Sequence, residues 1–232
     1  MFTRSSAARG TYTADPGMYV DSMTLDPTTL GINRRTQLET LTLAVSYAVG
    51  SHPQCIAGTA ILIRAAGHFG IALIPRAVAL TGQADGMPPL STGTYSTNFL
   101  KMKGAIPNHL PHNDGGAWAG SEFRSAGHMI AFDDIESMVL DPSFAQFGFA
   151  GMPNTAIAMP VDASEQSWPI AVSETAFVIY LPGADAGGWR PQYDGAFEAA
   201  GSMALGIANH LTDGGAPHQH GVRLDLDGAI IR

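Results

Sequence analysis

Ser51-His52-Pro53-Gln54-Cys55-Ile56-Ala57-Gly58-Thr59-Ala60 is the stretch from which the rest of the chain is read. Gly50 and Ser51 interrupt a helical pattern. Pro53 suits a first helical turn, where its missing N–H would have no partner anyway. The only cysteine of the 232 residues, Cys55, therefore falls in the first turn of a new helix. Unpaired backbone N–H groups and the positive end of the helix dipole favour thiolate over thiol at such a place. A small buried hydrophobe is the ordinary role of a free cysteine, and Cys55 needs further residues to argue otherwise.

Upstream, residues 1–32 are rich in Gly, Pro, Thr and Asp and predict an arm laid over a domain spanning 33–232. Leu38, Leu41, Val45 and Val49, broadened by Leu43 and Tyr47, predict a helix over 33–49. The Cys55 helix, expected over 54–66, is lined by Ala57, Gly58, Thr59 and Ala60. So thin a profile predicts burial in the middle of the fold, and Gly67 reads as its stop. Residues 71–80 read as a strand whose Pro75 marks an edge or a bulge.

Residues 81–126 form a long irregular insertion dense in glycine and proline, the profile of a loop or lid. Strands are expected at 127–132, 136–141 and 174–181, then a helix over 193–210. A terminal hairpin should turn at Asp227-Gly228. The helix and hairpin at the C-terminus are expected to extend the sheet edge.

Composition narrows the function classes. A formal net charge of −8 with no basic stripe argues against a nucleic-acid partner. No apolar run is long enough for a membrane span or a signal peptide's central region, and one cysteine excludes an internal disulfide. A cytoplasmic protein is the expectation, with secretion that leaves no such signature still open. His109-x-x-His112 near Asp114, and His218-x-His220, have metal-ligand residue types but too few ligands or no helical context. Both are read as polar loops, and no metal or cofactor is expected.

The chemistry sits in the hairpin 127–141. A four-residue loop at 133–136 sets Phe132 opposite Ser137 and His128 opposite Asp141, close enough for imidazole to meet carboxylate. A loop one residue longer or shorter would turn them to opposite faces. A nucleophilic cysteine needs a base, and the base needs a group that fixes its orientation. Cys55, His128 and Asp141 supply those three residue types in that order.

Gln54-Cys55 at a helix start, Leu62-Ile63-Arg64-Ala65-Ala66-Gly67, Val78-Ala79-Leu80-Thr81-Gly82, Gly127-His128 and Leu140-Asp141-Pro142-Ser143 together resemble the transglutaminase-like branch of the papain-fold cysteine enzymes, over residues 50–145. The resemblance implies an α+β fold, with the cysteine-bearing helix packed on an antiparallel sheet. It implies Cys55 as nucleophile, His128 as base and then acid, and Asp141 as the residue that orients His128. The Cys55 N–H would be one oxyanion donor, with Gln54 beside it. Ile56 and Ile130 stand where that family often has aromatic residues, and Trp118 is the candidate for its oxyanion tryptophan. The pattern thus favours thiol acyl chemistry over cross-linking.

Cleavage of a peptide or isopeptide amide through a thioester is the expected reaction, on a protein or peptide substrate. An amine acceptor, as in a transglutaminase or acyltransferase, and a binding scaffold without catalysis remain alternatives. Tyr95, Asn98, Phe99, His112 and Trp118 in the insertion are the expected substrate contacts.

Overall fold

A computed structural model describes residues 33–52, 54–93, 95–96, 108–109, 127–185, 188–215, 223–224 and 230–231. It is an α+β fold. Helix α1 (Arg34–Val49) begins where the Asn33 carboxamide oxygen accepts from the Thr36 N–H at 2.9 Å, and it ends at Gly50 with φ +66°. Leu38, Leu41, Val45 and Val49 are buried as the periodicity demands, whereas Tyr47 stands exposed. Thr42 takes part of that face instead, closing its hydroxyl onto the Leu38 carbonyl at 2.7 Å.

Helix α2 (Cys55–His68) starts at the cysteine itself, and Pro53, expected in its first turn, lies outside the described residues. Its stop is not Gly67 but Gly70, at φ +69°. There the N–H groups of Gly70 and Ile71 reach back to the carbonyls of Gly67 and Ala66, both at 3.0 Å, a Schellman ending.

Strand β1 (Ile74–Ala84) runs further than residues 71–80 and pairs with three neighbours. Its first half pairs with β4 (His128–Asp133), and its second half with β2 (Leu90–Thr92) and β8 (Ala176–Leu181). Pro75 lies in the half that carries a strand on one side only. Beyond β4 come β5 (Met138–Asp141) and β6 (Ile157–Pro160), and β7 (Trp168–Ala171) completes the far side against β8. These pairings are antiparallel; β3 (Asn108–His109) joins β2 in parallel. Residues 81–92 are thus an ordered hairpin of the sheet and no part of a lid. Gly93 and Gly127 lie side by side, since a Cβ on Gly127 would stand 2.5 Å from the Gly93 nitrogen.

The sheet has an apolar core on each face. On one side Ala77, Ala79, Met129, Ala131, Met138, Leu140 and Leu181 meet the helices. On the other, Val78, Leu80, Ile130, Phe132, Val139 and Val178 pack with Trp168 and with Phe144 and Phe147 of a 3-10 turn, Phe144–Ala150. The C-terminal helical segment divides at Ala200 into α3 (Arg190–Ala199) and α4 (Gly201–Thr212). Both pack on α2 instead of extending the sheet edge. Arg64 of α2 fastens them: its guanidinium donates to the Phe197 carbonyl at 2.9 Å, lies 5.1 Å from the Phe197 ring centroid, and would stand 3.1 Å from a Cβ at residue 201. Strands β9 (Arg223–Leu224) and β10 (Ile230–Ile231) pair antiparallel; the turn expected at Asp227-Gly228 lies outside the described residues.

Candidate active site

The hairpin register differs from the sequence reading by one residue on each strand. Asp133 pairs with Met138 and Ala131 with Leu140, so the four-residue loop is 134–137. Asp133 is drawn into the strand because its buried carboxylate takes the Arg34 guanidinium on α1 and the Glu136 N–H at 2.8 Å. One step further along this register Asp141 stands opposite Ile130, which makes His128 its diagonal neighbour rather than its direct partner. Loop length is unchanged, so the two side chains keep one face. They meet there: His128 Nε2 lies 2.7 Å from Asp141 Oδ2, and both residues are fully buried.

Cys55 arrives from the helix side. Thr59, one turn along α2, donates its hydroxyl to the Met129 carbonyl at 3.2 Å, which fixes that face of the helix on β4. Cys55, four residues earlier, lies on the same face one turn towards the N-terminus, level with the start of β4. Its thiol stands near enough to the His128 ring to help raise the imidazole pKa. His128 and Asp141 thus lie with Phe147 and Tyr180, whereas Cys55 packs against the core on the helix side. Gly58 makes this approach feasible, since a Cβ there would stand 2.5 Å from the Ser143 hydroxyl oxygen.

The first N–H groups of α2 have no intrahelical partner, and the Gln54 side chain does not cap them. Gln54 is exposed, Cys55 partly so. Backbone donors and a sulfur at one accessible place, with imidazole behind, suit attack on a carbonyl and stabilisation of the resulting oxyanion.

Two residues join the site that the sequence reading passed over. The Tyr180 hydroxyl of β8 donates to Asp141 Oδ2 at 2.9 Å, and the Gln146 carboxamide lies 3.1 Å from His128 Nδ1, where its NH2 suits a neutral ring and its oxygen a protonated one. The Ser143 N–H adds a third bond to the carboxylate, at Oδ1, 3.0 Å away. Phe147 covers the imidazole edge-on, 5.1 Å between ring centroids. Tyr180 sits in an ordinary β-prone alternation, with no local mark of its role. Gln146 did carry a signal, a lone carboxamide amid Phe144, Phe147 and Phe149.

Of the other expected contacts, Tyr95 packs against the core on the helix side, its hydroxyl beside Gly183 and not on His128 or Asp141. Asn98, Phe99, His112, Asp114, Trp118, His218 and His220 lie outside the described residues, as does the side chain of His109.

Burial by itself lowers the His128 pKa. The charge and hydrogen bond of Asp141, reinforced by Cys55, outweigh it and raise the pKa from 6.5 to about 10. Tyr180 is held well above its usual value, first by burial and then by the Asp141 charge, so it stays a neutral donor.

A folded pKa above the unfolded one stabilises the fold fully below about 6.5, and the gain is lost as pH rises through about 10. Urea unfolding at pH 7 and at pH 10.5 should show the wild type losing more stability than His128→Asn. Equal losses would refute an ionised His128.

Comparison with family models, curated proteins and solved structures finds no match to this chain.

Proposed function

We infer that the chain is a cysteine-dependent acyl-transfer enzyme of transglutaminase-like, papain-fold type, working through Cys55, His128 and Asp141. The observation that carries this reading is the buried His128–Asp141 pair, with the Cys55 thiol at the head of α2 near enough to bear on the imidazole's charge. A buried charged pair without a use is an expensive way to hold a hairpin together. Here it faces the one cysteine, at a helix end that is partly open.

In the proposed reaction the Cys55 thiolate attacks an amide carbonyl, and the carbonyl π electrons move onto oxygen near the N–H groups of α2. Collapse expels the amine, which takes its proton from the His128 imidazolium and leaves a thioester on Cys55. His128, now neutral, removes a proton from water as the water attacks. The acid is released, the thiolate re-forms and the imidazolium is restored. Asp141 holds the ring and its charge throughout. Water is the proposed acceptor because, among the described residues, the mouth is open: Ser51, His52 and Gln54 are exposed. The substrate class is a peptide or isopeptide amide.

Intact-mass spectrometry of the protein mixed with a peptide library, with and without a primary amine, tests this. A gain of water by the peptides, with a transient acyl adduct mapped to Cys55 and absent from Cys55→Ala, is expected. Amine incorporation without hydrolysis would replace water by an amine acceptor. Cleavage that persists in Cys55→Ala would overturn the reading.

A further inference from the structure

We propose that Tyr180 is a positioning residue that sets the acid strength of His128 by sharing its carboxylate partner. The proposal rests on the triad reading above and extends it to a residue on a separate strand. Tyr180 belongs to β8, two strands away from β4, and register places it opposite Leu80 of β1 and Trp168 of β7. Its hydroxyl nevertheless reaches Asp141 Oδ2, the same oxygen that holds His128 Nε2. The other oxygen, Oδ1, is taken by the Ser143 N–H. Asp141 is thus a fully buried carboxylate with three donors on it, and Tyr180 is fully buried as well.

Each donor draws negative charge from the carboxylate and makes it a weaker partner for the imidazolium. The Ser143 N–H is fixed by the backbone. Tyr180 is the one donor besides His128 that a side chain supplies, and it competes for the same oxygen. A triad whose imidazolium is held too firmly gives up its proton poorly to a leaving amine. Tyr180 opposes that excess and keeps His128 a usable acid. The ionisable groups acting on the ring are Asp141 from β5 and Cys55 from α2. The 3-10 turn contributes uncharged Gln146 and Phe147, and β8 the neutral Tyr180.

The test is the pH dependence of Cys55 alkylation by iodoacetamide in the full chain, for wild type, Tyr180→Phe and His128→Asn. Removing the phenol oxygen strengthens the Asp141–His128 pair, stabilises the imidazolium and so the thiolate. The profile of Tyr180→Phe should move to lower pH by about half a unit or more. His128→Asn should move it the opposite way, to higher pH. General loosening of the site would shift Tyr180→Phe upward, like His128→Asn, so the sign separates tuning from mere packing.

An unchanged or upward-shifted profile in Tyr180→Phe, with His128→Asn shifted up, overturns the proposal and leaves the triad standing. A His128→Asn profile identical to wild type overturns both. Should Tyr180→Phe not fold, the wild type still answers. The 13C resonance of the Tyr180 Cζ should move at the His128 titration midpoint, near 10, and a flat response there overturns the proposal.

Discussion

Asp141→Asn should slow acylation of Cys55 by p-nitrophenyl acetate by about a thousandfold to ten-thousandfold, the size expected when a triad carboxylate becomes an amide. The reason lies in the number of bonds the carboxylate accepts. Asp141 takes three donors on two oxygens: His128 and Tyr180 on Oδ2, Ser143 N–H on Oδ1. Asparagine has one oxygen and one NH2. With its oxygen towards Ser143, the NH2 faces Nε2 and drives His128 into the Nδ1–H form, which can no longer take the thiol proton. With its oxygen towards His128 and Tyr180, the NH2 confronts the Ser143 N–H, donor against donor. Either orientation leaves a buried group unsatisfied at about 1–3 kcal/mol, so unfolding in urea should also come earlier. Acylation within tenfold of wild type, measured on folded protein, would remove Asp141 from the mechanism.

Much of this arrangement was legible in the chain, for identifiable reasons. The α1 stripe from Leu38 to Val49 and the β-prone run ending at Leu181 each bury one face, and burial imposes the period that a reader sees. His128 and Asp141 were found because parity survives a slip of both strands together, although the register itself was misjudged. What fixes the register is Arg34, whose ion pair with Asp133 spans 99 residues of sequence and leaves no local trace. The stop of α2 was placed at Gly67 because glycine there resembles a terminator. Gly70 wins because the 3.0 Å bond from Ile71 to Ala66 needs a left-handed residue one step before Ile71. Tyr180 and Gln146 were missed for a like reason: they reach the triad across 39 and 18 residues, through tertiary packing alone.

Gly58→Ala should destabilise the protein by about 1–2 kcal/mol and slow Cys55 alkylation at neutral pH, although alanine is the better helix former. Considered as a helix residue, Gly58 is a fault: alanine in an open helix position would gain roughly 1 kcal/mol. The new Cβ, however, would lie 2.5 Å from the Ser143 Oγ, closer than van der Waals contact allows. Ser143 is fully buried and sits two residues past Asp141, so yielding moves either the serine or the helix. Lifting the helix carries Cys55 away from His128, because Cys55 and Gly58 are three residues apart on one face. Removal of the obstacle should reverse the sign. In Ser143→Ala the nearest remaining neighbours are the Pro142 Cγ at 3.5 Å and the Cβ of residue 143 at 3.8 Å, ordinary contacts. Among the described residues the Ser143 hydroxyl makes no hydrogen bond, so its loss sacrifices none there. Gly58→Ala introduced into Ser143→Ala should therefore stabilise, with alkylation restored. Urea unfolding of the two single variants, the double variant and wild type measures the coupling. If Gly58→Ala destabilises as much without the serine hydroxyl as with it, the close approach of α2 to the Asp141 turn is not what requires glycine.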